Sequence, residues 1–322
     1  MMRMSLLVGL VALGRTRSQR VLPGVLQAFN EHGEDPQTLP YQLFVPATRQ
    51  TEPAMRPRPL LVFLHGAGDG PFEVMNAQSL PGLLLRNASF AADFPFVALF
   101  PCSTCGTPGV RGWSEASFRR VDRLISLAMH AHSVDPARVL LTGQSMGGGG
   151  LWRYAAARPR LFAALVPVCA ALRPTADAAA AVCCAEGPSA GCCPPVWAFH
   201  GANDGSVPVE LTDRMVALLD AQPPRAAEQV RYTRYEWAPP PPMPEYADMA
   251  GHGSYELAYR DGALYAWLLE QRCAACRGPP EHVRWLEQRS ARRLADGRAS
   301  AARVSPSRWA DGARHGRVSV RG

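Results

Sequence analysis

Residues 138–152 contain the pattern that most constrains the fold of this chain. Residues 139–141 form an apolar run typical of a buried strand, and they lead into Gly-Gln-Ser-Met-Gly at 143–147, followed by a helix-like segment. Gly-x-Ser-x-Gly between a strand and a helix predicts a sharp turn that lifts the hydroxyl of Ser145 out of the backbone. The glycines are needed because a side chain there would clash with the strand or the helix. Since so short a motif also arises by chance, its meaning depends on whether the chain supplies a base, an acid and an oxyanion hole.

Strand-like and helix-like segments alternate along the chain. Apolar runs of strand length lie at 60–64, 96–100, 161–168 and 196–200, and alternating segments lie at 41–46, predicted as an edge strand, and at 229–237. Helices are predicted at 115–132, 146–157, 209–219 and 255–271. Strands that are apolar throughout are typical of a parallel sheet covered on both faces. The predicted fold class is therefore α/β, with a mostly parallel, doubly wound sheet and helices on both faces.

The net charge of +7 belongs to one end of the chain. Residues 277–322 contain eleven Arg and four acidic residues, which accounts for the whole excess and leaves the rest of the chain neutral. No nucleic-acid partner is expected for a neutral domain. Because this Arg-rich tail has few large apolar residues, it is predicted to be disordered. The hydrophobic content of 47% nevertheless predicts a sizeable folded core in the remainder.

The other end of the chain has the pattern of a targeting segment. An apolar run at residues 6–13 overlaps a small-residue site, Ala12-x-Gly14, and Arg residues follow. Residues 1–20 are interpreted as a signal or transit peptide, which predicts a secreted or organellar protein, although a frayed start of a cytoplasmic chain gives a similar pattern. No other segment is apolar for long enough to span a bilayer. Between the ends, one domain is predicted at 38–272, with a Cys-rich, cap-like insertion at 173–195.

Nine cysteines are many for a cytoplasmic enzyme. They form two Cys-x-x-Cys pairs at 102–105 and 273–276, a further group at 183–184 and 192–193, and Cys169 within a strand-like run. A zinc site would require the two distant pairs to meet in space, so disulfides are favoured, with reduced thiols as the alternative. The odd count leaves Cys169 as a buried free thiol.

Three polar residues lie at or beyond the ends of predicted strands, in the order Ser145, Asp204, His252. Loops at the carboxyl edge of an open α/β sheet form its active site. A serine nucleophile needs a base, histidine titrates near neutral pH, and a carboxylate orients the imidazole. Each residue alone has a plainer interpretation, since Asn-Asp-Gly is a turn signal and a histidine between glycines is more often exposed. Their order nevertheless matches the α/β-hydrolase order of nucleophile, acid and base.

His65 and His200 compete for the role of the base. Both end predicted strands but precede Asp204 in the chain, so they are expected to hold loops by hydrogen bonds. The oxyanion hole needs two backbone donors. Met146, which follows the serine, is expected to supply one, and the loop after residues 60–64 the other, through Ala67 or Gly66.

With these residues in place, the chain resembles the α/β-hydrolase serine esterases. Within them it is similar to the branch of polyhydroxybutyrate-depolymerase-like, "predicted peptidase" and phospholipase-carboxylesterase proteins. The similarity lies in residues 41–46, 64–68, 135–152, 161–169, 196–208, 232–237 and 252–269. The resemblance implies an α/β-hydrolase fold and the triad Ser145, Asp204 and His252. Residues 253–255 lack the usual Trp of that branch. Gly149 also stands where the branch has a larger residue. Because a glycine within a helix costs up to about 1 kcal/mol of stability, Gly149 predicts a looser turn.

The predicted function is hydrolysis of a small or polymeric carboxylic ester through an acyl-enzyme intermediate. In this hypothesis Ser145 attacks the ester, His252 carries the proton and Asp204 orients His252, with no metal or organic cofactor required. Two alternatives remain open, a serine peptidase of the same fold and a catalytically inactive binding module.

Overall fold

The computed structural model describes residues 21–30, 35–47, 57–70, 72–107, 109–183, 193–222 and 229–279. The chain divides into one unit that ends at Pro279 and a second that begins at Pro280. The predicted leader at 1–20, the tail beyond Pro279 and the centre of the Cys-rich insertion therefore lie outside the described residues.

Eight strands form one sheet among the described residues. They are β1 (Leu26–Phe29), β2 (Tyr41–Phe44), β3 (Arg58–Leu64), β4 (Val97–Pro101), β5 (Val134–Gln144), β6 (Ala164–Val168), β7 (Val196–Gly201) and β8 (Val230–Tyr235). Their spatial order is β1-β2-β4-β3-β5-β6-β7-β8. β2 is antiparallel to both of its neighbours, and the other pairs are parallel. The predicted mostly parallel sheet is confirmed.

Helices cover both faces of this sheet. In the described part of the chain they are α1 (Phe72–Ala77), α2 (Ser79–Arg86), α3 (Ala88–Asp93), α4 (Glu115–His132), α5 (Met146–Ala157), α6 (Ala176–Val182), α7 (Glu210–Asp220), α8 (Ser254–Ala258) and α9 (Gly262–Glu270). None of these described helices is both long and apolar enough to cross a membrane. In β3, Leu60 and Val62 join the core beneath α4 to α7, whereas Leu61 and Phe63 join the core beneath α1, α2, α3, α8 and α9. Because successive strand residues point to opposite faces, an uninterrupted apolar strand is buried on both sides.

Two predicted elements differ from the structure. Residues 41–46 are not the edge strand, because β1 lies outside β2 and takes the edge. β1 has four residues of which one is buried, too little pattern to reveal a strand. The helix predicted at 255–271 is split into α8 and α9, because Asp261 accepts the N–H of Ala263 at 2.9 Å and begins a new helix.

The parallel strands bring three polar segments to one edge of the sheet. β3 leads into the loop at residues 65–70, β5 ends beside Ser145, and β7 is followed by Asp204. His252 lies in the connection between β8 and α8. The carboxyl edge of a parallel sheet is where ligands bind in open α/β folds.

Candidate active site

Ser145 lies at the junction of β5 and α5 in a backbone conformation that few residues other than glycine adopt. Its φ is 53° and its ψ is −119°. Its N–H donates to the carbonyl oxygen of Val168 at 3.0 Å, and its own carbonyl oxygen accepts the N–H of Ala171 at 2.9 Å. A strained backbone of this kind persists only where surrounding contacts fix it. β6 and the segment that follows it therefore hold the turn at the serine.

The glycines after the serine face neighbours that leave no room for a side chain. A Cβ on Gly147 would overlap the carbonyl oxygen of Leu64. A Cβ on Gly149 would overlap the carbonyl oxygen of Ala171, whose N–H holds Ser145. The expectation of a looser turn at Gly149 is wrong, because this glycine lets α5 pack directly on the segment that supports the serine.

Gly149→Ala is expected to destabilise the protein by about 1–3 kcal/mol, the usual range for overpacking. In an unobstructed helix the same change stabilises by roughly 1 kcal/mol, so the sign of the effect tests the packing. Gly262→Ala at the start of α9 is the matched control, because nothing lies within 4 Å of a Cβ there. Urea unfolding of both variants and the wild type measures the difference. A Gly149→Ala protein as stable as Gly262→Ala would contradict the close packing.

The side chains of Ser145, His252 and Asp204 form a continuous chain of hydrogen bonds. Nε2 of His252 lies 3.0 Å from Oγ of Ser145, and Nδ1 of His252 lies 2.9 Å from Oδ2 of Asp204. His252 and Asp204 are buried, with 5% and 7% of their surface exposed. Side chains that are distant in sequence thus come together in an arrangement that can pass a proton from an alcohol to an imidazole.

Hydrogen-bond donors surround the carboxylate of Asp204. Oδ1 accepts the backbone N–H groups of Ser206 and Val207, both at 2.9 Å. Oδ2 lies 2.9 Å from His252 and 3.2 Å from Nε2 of His200. Burial alone would raise the pKa of Asp204, but hydrogen bonds from the two histidines and Val207, with the charge of His252, hold it well below its usual range. The side chain is therefore an anion at neutral pH.

Neither of the two competing histidines is hydrogen-bonded to Ser145 in the described part of the chain. Nδ1 of His200 lies 2.7 Å from Oγ1 of Thr212, and its Nε2 reaches Asp204. Nε2 of His65 accepts the N–H of Ser103 at 3.0 Å, and burial lowers the pKa of His65 to about 4, so this ring is neutral at pH 7. The contact between His200 and Asp204 was missed in the sequence. The available signal for this contact was that His200 lies at the end of a strand and four residues before Asp204.

Of the two oxyanion donors predicted in the loop after β3, one is already occupied. Among the described residues, none accepts the N–H of Ala67. The N–H of Gly66 donates instead to Oδ2 of Asp69 at 2.6 Å, so Gly66 is not available as an oxyanion donor. Met146 is the first residue of α5, and its N–H has no acceptor within the helix. Ala67 and Met146 are therefore the candidate donors.

A small pocket of about 60 Å³ opens beside Ser145. Ala67 and His252 line it, together with Pro241 and Met249 from the connection that carries His252. No described residue of the 173–195 insertion lines this pocket. The connection between β8 and α8 thus both carries the imidazole and forms a wall of the pocket.

Six of the seven described cysteines pair with a partner nearby in the sequence. Disulfides join Cys102 to Cys105, Cys273 to Cys276 and Cys183 to Cys193. Because each Cys-x-x-Cys motif closes on itself, the two motifs do not form a shared zinc site. Cys184 and Cys192 lie outside the described residues.

Cys169 is a free, buried thiol beneath the triad. Its ligand atom and those of Asp204 and His252 lie within 4.8 Å of one another, the arrangement among the described residues that could hold a metal. Burial, and then the charge of Asp204, raises the pKa of the Cys169 thiol well above its usual value. Since metals bind the thiolate, and Asp204 and His252 already bond each other, this cluster fits the hydrogen-bonded triad better than a metal.

Solved structures resemble this chain, whereas no protein-family model and no curated protein matches it. A thermostable esterase is 27% identical, with a TM-score of 0.53, over 77% of this chain and 62% of that one. A dienelactone hydrolase-like protein from Klebsiella pneumoniae is 19% identical, with a TM-score of 0.50, over 76% and 98% of the two chains. The feruloyl esterase module from Clostridium thermocellum is 11% identical, with a TM-score of 0.50, over 75% and 86%.

This chain spans 62% of the length of the thermostable esterase, which is less than two thirds. The similarities to the other two structures show a shared fold alone. The narrower branch suggested by the sequence stays a prediction. The mostly parallel sheet, the strand–serine–helix turn and the esterase and dienelactone hydrolase-like neighbours together show that this chain is a protein of the α/β-hydrolase fold.

Proposed function

We propose that this chain is a serine hydrolase that cleaves carboxylic esters through an acyl-enzyme intermediate. The observation that carries the proposal is the continuous hydrogen-bonded chain from Oγ of Ser145 through His252 to Asp204. The similarity to a thermostable esterase supports an ester as the substrate class.

In the first half of the reaction, Oγ of Ser145 attacks the ester carbonyl carbon. Its proton passes to Nε2 of His252, and the ionised Asp204 stabilises the resulting imidazolium through Nδ1–H. The N–H groups of Met146 and Ala67 stabilise the negative oxygen of the tetrahedral intermediate. When the intermediate collapses, the bond to the alcohol oxygen breaks, His252 returns the proton to the alcohol, and the acyl group stays on Ser145.

In the second half, water replaces the alcohol. His252 takes one proton of the water, the hydroxide adds to the acyl carbon, and the same two N–H groups stabilise the second tetrahedral intermediate. The bond to Oγ then breaks, His252 gives the proton back to Ser145, and the free acid leaves. His252 thus acts as base and then as acid in each half of the reaction. Every proton that it takes up is given back, so the enzyme ends in its starting protonation state.

The substrate class is tested by comparing p-nitrophenyl acetate and butyrate with a short peptide p-nitroanilide, using the full-length protein. We expect saturable turnover of the esters at rates well above the amide. Amide turnover without ester turnover would instead establish a peptidase. A folded protein that turns over neither would support the inactive binding module.

A further inference from the structure

Asp69 lies in the loop after β3 and is buried beside Ser145, although the proposed reaction gives it no step. Only 4% of its surface is exposed, and it lines the pocket. Its Oδ2 accepts the N–H of Gly66 at 2.6 Å. A Cβ on Gly66 would lie 3.1 Å from that oxygen and 3.5 Å from Cβ of Ser145. Gly66 is therefore held between the carboxylate and the serine.

Two side-chain amides are oriented to donate to Asp69. Oε1 of Gln78 accepts the hydroxyl of Tyr255 at 2.7 Å, which directs its Nε2 to Oδ1 of Asp69 at 2.8 Å. Oε1 of Gln144 accepts the hydroxyl of Ser79 at 2.5 Å, which directs its Nε2 to Oδ2 at 3.3 Å. With the N–H of Gly66, the carboxylate thus faces three donors. This environment matches an ionised carboxylate, because a protonated one would need an acceptor.

We propose that ionised Asp69 is a positioning residue of the oxyanion hole. By binding the N–H of Gly66, it fixes the peptide group that precedes the one bearing the N–H of Ala67, the donor left for the substrate oxygen. The carbonyl oxygen of that second peptide group accepts Nδ1–H of His65 at 2.7 Å. When Asp69 takes a proton, its O–H becomes a donor among the donors of Gln78 and Gln144, and its hold on Gly66 weakens. The inference rests on the proposed function, because it assigns Asp69 a role in that reaction.

Few groups around Asp69 change charge in the working range of the enzyme. Burial raises the pKa of Asp69 to about 6, a rise limited by the hydrogen bond from Gly66 and by the charge of His252. Four groups interact with the charge of Asp69 and have pKa values raised by burial, so they keep their protons at neutral pH. They are Cys169, Tyr246, Tyr255 and Tyr259. His65, next to Gly66, has a pKa lowered by burial to about 4.

Full activity therefore needs an ionised Asp69 in addition to the unprotonated base that the triad requires. Since kcat/KM reports ionisations of the free enzyme, its logarithm should rise with pH and approach a slope of two on the acid limb. An enzyme that needs only the neutral imidazole would give a slope of one.

The pH profile is measured for the wild type, Asp69→Asn and Asp177→Asn with p-nitrophenyl butyrate, between about pH 4.5 and 8. We expect a slope of two for the wild type and one for Asp69→Asn. The kcat of Asp69→Asn should fall roughly 10–100-fold with little change in KM. The reason is that the NH₂ group of the new amide is a donor and cannot accept hydrogen bonds from Gln78 and Gln144. Asp177→Asn, an exposed acid on α6, is the matched control and should keep the wild-type slope and kcat.

A wild-type slope of one, or an unchanged slope in a folded Asp69→Asn protein, would overturn this role and leave the esterase intact. Absence of ester turnover in the wild type would overturn the proposed function and this role with it. Thermal unfolding shows whether Asp69→Asn folds. If it does not, the wild-type slope decides alone, a value of two supporting the role.

Discussion

Ser145→Ala is expected to lower kcat for p-nitrophenyl esters by on the order of 10⁶-fold, the loss seen when a serine nucleophile is removed from a triad. Alanine has no oxygen to form the acyl-enzyme, and the hydrogen bond at 3.0 Å to His252 is lost. Steady-state hydrolysis at saturating ester, with a sensitive fluorescent ester for the variant, measures the change. The residual rate reports what the oxyanion donors and the pocket achieve without a nucleophile.

Ser89→Ala is the matched control for this substitution, since Ser89 is an exposed serine on α3 and lies outside the pocket. It should keep the wild-type kcat. Thermal unfolding of both variants separates loss of chemistry from loss of fold. A Ser145→Ala protein with substantial ester turnover would mean that another group attacks the substrate.

Asp204→Asn is expected to lower kcat by about 10⁴-fold. The amide removes the charge that stabilises the imidazolium, and its NH₂ group can donate to Nδ1 and favour the wrong tautomer of His252. Asp213→Asn is the matched control, because its carboxylate contacts the Tyr232 hydroxyl at 2.7 Å and does not line the pocket. Ester turnover by both variants gives the comparison. A kcat for Asp204→Asn within about tenfold of the control would contradict the role of Asp204.

The same variant should also be less stable than the wild type at neutral pH, with the difference vanishing in acid. The pKa of Asp204 is held below its usual value in the folded state. Its charge therefore stabilises the fold above the unfolded pKa of about 4, and this contribution is lost as the pH falls through the folded-state value. Thermal unfolding of both proteins from pH 7 downward measures it. A difference that does not change with pH would contradict this origin.

Local patterns in the sequence are sufficient for those parts of the molecule whose geometry repeats. The uninterrupted apolar run in β3 predicts a strand buried on both faces, and the structure confirms the α/β class. The change from strand to helix at Ser145 likewise requires only neighbouring residues. Chain order then identifies Asp204 and His252 as the candidates that the structure places in hydrogen-bond contact.

Contacts between distant segments explain what the sequence did not show. Asp69 receives hydrogen bonds from Gln78 and Gln144, which are nine and 75 residues away, so no local pattern indicates its role. The packing of Gly149 depends on Ala171, which lies beyond β6. β1 was missed because a four-residue strand has too few positions to show a period. These features depend on tertiary packing, which the secondary-structure propensities of neighbouring residues do not indicate.

Labelling with a fluorophosphonate probe tests the central claim most directly, because the probe reacts with an activated serine whatever the natural substrate is. Intact mass followed by peptide mapping identifies the site and the number of adducts. We predict one adduct per chain, on the peptide that contains Ser145, in the wild type and in Ser89→Ala, and none in folded Ser145→Ala. A folded wild-type protein that stays unmodified, or that carries the adduct on another residue, would contradict the assembled triad as a catalytic centre.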